Sequence, residues 1–206
     1  MKRAGALVLG TMLIATPARA EELPFDVRDV RSPVRAGFAY TGLSRSPAFS
    51  LSWALEVDIA RLSKRLGVTG VFDFDSHVRP DLSEKDPLSS FAMIGGGFGF
   101  YYVTDGDVGL GFATTLGPSF DAQDLTGFAF ETRAYLVPYY VPINEAAKRS
   151  GDHFSAWVRS SFSFWISARV DFTREGDGTT IAFGGALDIM RIFFLPYVTA
   201  ITKALR

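Results

Sequence analysis

The chain has 206 residues, no cysteine and a formal charge of −1, from 21 Lys and Arg against 22 Asp and Glu. Hydrophobic residues make up 48% and Phe alone occurs 19 times, which excludes a disordered tail protein and a disulfide scaffold. The near balance of charge excludes a polybasic nucleic-acid binder, and the length holds one domain or at most two small ones.

Lys2 and Arg3 form a positive n-region and Ala4 to Thr16 an apolar h-region. Ala18-Arg19-Ala20 then gives the small-x-small pattern that signal peptidase reads. Residues 1–20 are therefore expected to be a signal peptide cleaved before Glu21, leaving 21–206 as a single domain. As a membrane anchor the apolar stretch is too short to span comfortably. No Cys stands near the cut, so the pattern is not that of a lipoprotein. In an exported chain the missing Cys carries no cytosolic redox message. Residues 1–20 hold three basic side chains and no acid, so the mature chain has 18 basic against 22 acidic groups, a net −4.

From there the chain alternates with period two, and eight strands are expected. The first covers 33–43 and the second 49–61, where Leu51, Trp53, Leu55, Val57 and Ile59 alternate with Ser52, Ala54, Glu56 and Asp58. The third covers 66–76. The fourth, 89–103, lies in the longest uncharged stretch of the mature chain, Pro87 to Thr104. Gly95, Gly96, Gly97 and Gly99 argue against a transmembrane helix there, each costing about 1 kcal/mol relative to Ala. Strands at 107–118, 126–140, 155–172 and 178–190 follow, with Asp105-Gly106, Pro118 to Asp124 and Gly176-Asp177-Gly178 as breakers. Eight hairpin-linked strands predict an all-β, antiparallel up-and-down barrel.

Alternation alone does not say which face is inside. A soluble barrel buries its large apolar residues, and a membrane barrel turns them to lipid. A solvated face is normally rich in Lys and Glu. Here the other face carries Gly, Ala, Ser and sparse charges, and Lys64, Lys85, Lys148 and Lys203 all fall outside the expected strands. Small residues with a few pairable charges suit the interior of a narrow eight-stranded barrel. On this parity Arg35, Glu56, Asp58, Asp73, Asp75, Glu131, Arg133, Arg159, Arg169, Asp171 and Asp188 point inward as a linked polar network, with Arg35 expected to pair with Asp188. Tyr101, Tyr102, Tyr139, Tyr140, Phe193, Phe194 and Tyr197 gather at one rim and are read as an interfacial aromatic girdle; aromatic core clustering is the alternative.

The pattern resembles small eight-stranded outer-membrane barrels of the OmpA and OmpX kind over nearly the whole mature chain. The resemblance is one of pattern, without a specific motif. Such barrels end in a strand with a terminal aromatic, whereas here Pro196 breaks the last strand and a segment runs on to Arg206. Gly184, Leu187 and Ile189 are an internal version of that closing signal. The tail Pro196–Leu205, with Tyr197, Ile201 and Leu205 at four-residue spacing, either lies in the membrane interface or covers the barrel mouth.

Candidate chemistry is thin. His153-Phe154-Ser155 resembles the His-x-Ser element of outer-membrane lipid A deacylases, but no acid stands at a convincing distance to orient the histidine. Asp73, Asp75 and His77 share one face and could hold a divalent metal; lacking a fourth ligand, they read more simply as a charged lumen paired with Arg. No cofactor, metal or catalytic residue is therefore assigned. The expectation is a monomeric, non-enzymatic outer-membrane protein with a filled lumen and outward loops at 77–88 and 118–125, partnered by outer-membrane lipid and the barrel-assembly machinery. Both ends would be periplasmic, with Arg79 and Lys85 outside and Arg149 inside. An outer-membrane lipid A hydrolase and a soluble, lipocalin-like periplasmic carrier are the alternatives.

Overall fold

Successive side chains of a strand point to opposite faces, so long alternating runs need a sheet with two contrasting sides. The computed structural model of the chain describes residues 30–41, 46–63, 65–80, 88–121, 124–140, 158–173 and 176–194. Its strands are β1 Val30–Arg31, β2 Pro33–Thr41, β3 Ser46–Arg61, β4 Leu66–Pro80, β5 Leu88–Val103, β6 Gly109–Asp121, β7 Asp124–Val137, β8 Phe162–Thr173 and β9 Gly176–Asp188. From β2 to β9 each pairs antiparallel with the next, and β2 also pairs β9, which closes a ring. β1 and β2 meet β3 in one register, Arg31 opposite Glu56 and Val34 opposite Trp53. They are a single strand interrupted at Ser32, so the barrel has eight strands.

Paired residues followed once round the ring from Arg31 are Glu56, Val71, Gly97, Thr115, Glu131, Arg169 and Thr180. The path returns to the first strand at Thr41, ten residues beyond its start. Such a stagger tilts the strands by about 40° to the barrel axis, as closure requires. The inside is narrow, and two glycines make room for rings. Gly67 faces Tyr101 and Gly111 faces Tyr135 across their strand pairs. A Cβ at Gly67 would lie 2.4 Å from the Tyr101 ring, and one at Gly111 would lie 1.9 Å from that of Tyr135. At the β5–β6 turn Asp107 adopts φ 59°, a left-handed conformation that Asp tolerates, and its N–H donates to the Thr104 carbonyl at 3.2 Å.

Several boundaries differ from the sequence reading. β4 runs on to Pro80, and β6 and β7 reach Asp121 and Asp124, so most of the expected loop 118–125 is strand. β8 starts only at Phe162, because residues 158–161 form a helical turn. There Ser161 Oγ donates to the Val158 carbonyl at 2.7 Å. β9 stops at Asp188, whose Oδ1 accepts the Met190 N–H at 3.1 Å and starts a π-helical turn, Met190–Phe194.

Candidate functional site

The barrel interior is where polar chemistry collects. Arg35, Arg133, Arg169 and Arg191 are among the largest fully buried side chains, with Met93, His77 and Glu131. Burying a charge is costly unless it is paired, and these are paired. From the mouth at which β9 ends, a column of alternating sign climbs the lumen. Arg191 meets Asp188 at 3.5 Å, Asp188 meets Arg31 at 3.6 Å, and Arg31 meets Glu56 at 3.5 Å. Glu56 then meets Arg35 at 2.9 Å, Arg35 meets Asp73 at 3.3 Å, Asp73 meets Arg133 at 2.6 Å and Arg133 meets Glu131 at 2.7 Å. Four arginines face four acids.

A second cluster sits beyond it, toward the β2–β3 and β8–β9 hairpins. Arg169 donates through Nε to Asp171 at 2.9 Å and through Nη2 to Ser119 Oγ at 3.1 Å, and lies 3.4 Å from Asp75. His77 Nε2 is 2.9 Å from the same Asp75 oxygen. Glu131 and Arg169 are register partners on β7 and β8, yet Glu131 bonds Arg133 while Arg169 reaches the other way. The interior thus divides into two groups along the axis.

The mouth at the β9 end is packed with aromatic rings. Arg31 stacks over Tyr135 at 4.9 Å and Arg191 over Tyr140 at 4.6 Å. Arg191 also donates to the Ser160 carbonyl at 3.2 Å, tying the 158–161 turn to the turn after β9. Tyr101 donates its hydroxyl to half-buried Asp58 at 2.8 Å. Outside the barrel wall, exposed Arg65 pairs with Asp105, which holds the guanidinium above its ordinary value by hydrogen bonding and charge.

Three readings of the sequence need correction. Arg159 is exposed on the helical turn and takes no place in the lumen. Arg35 does not pair with Asp188: the register sets Arg35 opposite Ala186, so Asp188 takes Arg31, Arg191 and the Ser32 N–H instead. Tyr101 and Tyr140 are buried, at 9% and 4% exposure, and do not form an outward girdle. Of the other girdle residues, Tyr102 and Phe193 are exposed and Tyr139 is half-buried; the Phe194 side chain and Tyr197 lie outside the described residues. His153, Ser155 and the tail from 195 lie outside them too.

Arg31 and Arg191 escaped the sequence reading. Arg31 shares the parity of Arg35, a signal that extending the first strand by two residues would have caught. Arg191 follows a strand end, where period two no longer points anywhere. Asp73, Asp75 and His77 do share a face, but Asp73 is held by two arginines and Asp75 by Arg169 and His77. Among the described residues no group of three His, Asp or Glu is placed to hold a metal.

No family model matches the chain, and no curated protein matches it in sequence. Among solved structures the chain is similar to Ail, the attachment invasion locus protein of Yersinia pestis, with TM-score 0.40 and 12% identity, covering 77% of this chain and 98% of that one. A structure of Ail in complex with the heparin analogue sucrose octasulfate matches at TM-score 0.40 and 14% identity, with the same coverage of each chain.

Proposed function

We propose that this protein is an integral outer-membrane β-barrel of a Gram-negative cell, non-enzymatic and filled, exported by residues 1–20 and presenting its hairpin loops outward. The observation that carries the reading is the inversion of its two faces. Phe38, Phe49, Phe98, Phe128 and Phe183 are each more than half exposed on the outside, while Arg31, Arg35, Arg133, Arg169 and Arg191 are sealed within. Along β8 the outward residues run from Phe162 to Phe172 without a charge. At ~3.3 Å per residue and ~40° tilt that band is about 25 Å tall, the height of the apolar belt of outer-membrane barrels.

A water-soluble monomer rarely shows so continuous an apolar surface, and a lipocalin-like carrier needs the opposite arrangement. No described helix is long and apolar enough to cross a membrane. Exposed Tyr102 and Phe193 then fit the interface at the periplasmic rim. The partners implied are outer-membrane lipid and the assembly machinery, with the protein acting as a monomer. Fractionation of expressing cells tests this: the mature chain should sediment with the outer membrane and resist carbonate extraction. Recovery as a soluble periplasmic protein would overturn it.

A further inference from the structure

One row of outward residues on the barrel wall is broken by a single small side chain. Register partners carry the row through Phe100, Phe112, Ala134, Ile166, Phe183 and Phe38, all of them exposed. At Ala134 a methyl stands where its neighbours carry rings or a branched chain. The gap opens into a groove of about 330 Å³ on the outer face, walled by Leu110, Leu136, Phe164 and Ile166. Leu110 is the second residue of β6, Leu136 the next to last of β7 and Phe164 the third of β8. The groove therefore lies at the end of the barrel where β9 stops. The helical turn 158–161 leads into β8 at that same end and carries Arg159. Arg159 is exposed and has no ion-pair partner among the described residues. Asp105 and Asp107 lie on the β5–β6 turn, two strands from β8 round the ring, and Asp105 takes Arg65.

We propose that this groove is a site for one anionic phospholipid of the periplasmic leaflet, with an acyl chain in the gap over Ala134 and the phosphate on Arg159. The inference rests on the outer-membrane reading above and names the lipid class and its place on the wall. An apolar slot beside an unpaired cation matches a molecule with a flexible apolar chain and an anionic head. A second copy of the chain fits less well. Meeting this face about a two-fold axis along the membrane normal, it would bring two Arg159 side chains together, and like charges repel.

Protein refolded in detergent micelles tests the assignment, with heat-modifiable migration identifying folded barrels. It is titrated with dioleoyl phosphatidylglycerol or dioleoyl phosphatidylcholine, and bound lipids are counted by native mass spectrometry. Wild type binds the first phosphatidylglycerol about fivefold more tightly than phosphatidylcholine, the effect of one basic side chain at a lipid surface. Arg159→Gln removes that preference and Arg159→Lys keeps it. Ala134→Phe fills the gap and removes the tight first adduct, whereas Arg65→Gln, at the same rim, leaves it unchanged. Equal binding of the two lipids by wild type would overturn the site. So would a preference that survives Arg159→Gln or is lost in Arg65→Gln, or a first adduct that survives Ala134→Phe. A dimer abolished by Ala134→Phe would give the groove to a second copy and overturn it as well. A chain that stays folded and soluble without detergent would overturn the membrane reading itself, whatever the groove binds.

Discussion

The two faces of β8 obey opposite rules. Outward, Phe162, Phe164, Ile166 and Phe172 stand exposed; inward, Ser163, Trp165, Ser167, Arg169 and Asp171 are buried. The wall therefore places its most strongly hydrated groups where water is excluded and its least hydrated groups where water or lipid must meet them. In water this would be doubly unfavourable, since buried ions lose hydration and exposed rings gain nothing. In a bilayer the outer half of the penalty disappears, and the inner half is offset by pairing. The contrast gives each face its own tolerance to substitution.

The interior should be the less forgiving. Arg169→Met leaves Asp75 and Asp171 without their shared cation, and should lower the unfolding free energy in lipid vesicles by about 3–5 kcal/mol, read from urea titration. On the outer face, Phe98→Arg places a charge in the apolar band and should cost about 2–4 kcal/mol in the same titration, while Phe98→Leu should cost little. An effect of Phe98→Arg near zero would mean that this face meets water. Gly111→Ala drives a methyl into the Tyr135 ring and should cost about 1–3 kcal/mol. Gly111→Ala combined with Tyr135→Ala should recover part of that loss. Arg65→Ala removes a pair that is open to solvent at the rim, and the unfolding midpoint should not move.

The sequence made the faces legible because β-period alternation assigns a face without knowledge of any partner strand. Glu56, Asp73, Asp75, Glu131, Arg133 and Arg169 could all be placed inside on parity alone. Which of them touch depends on the ten-residue stagger round the ring, and alternation carries no record of it. That is why Arg35 looked like a partner for Asp188 when Arg31 was the one in reach. Tyr101 and Tyr102 teach a smaller lesson: neighbours on a strand point to opposite faces, so both could not belong to an outer girdle. Arg159 failed for a different reason. Arg159 and Ser161 continue the alternation of β8 in the sequence, but over residues 158–161 the backbone is helical and parity loses its meaning.

Two tryptophans report on the two faces most directly. Trp53 points outward on β3, its ring edge-on to exposed Phe72 at 6.1 Å, whereas Trp165 is 4% exposed inside and donates to the Gly185 carbonyl at 3.0 Å. Variants retaining only one of them, with Trp157 and the other replaced by Phe, can be refolded into vesicles of lipids brominated along the acyl chains. Fluorescence from Trp53 should be strongly quenched and that from Trp165 nearly untouched. Equal quenching of both, or quenching of Trp165 alone, would contradict the inverted barrel.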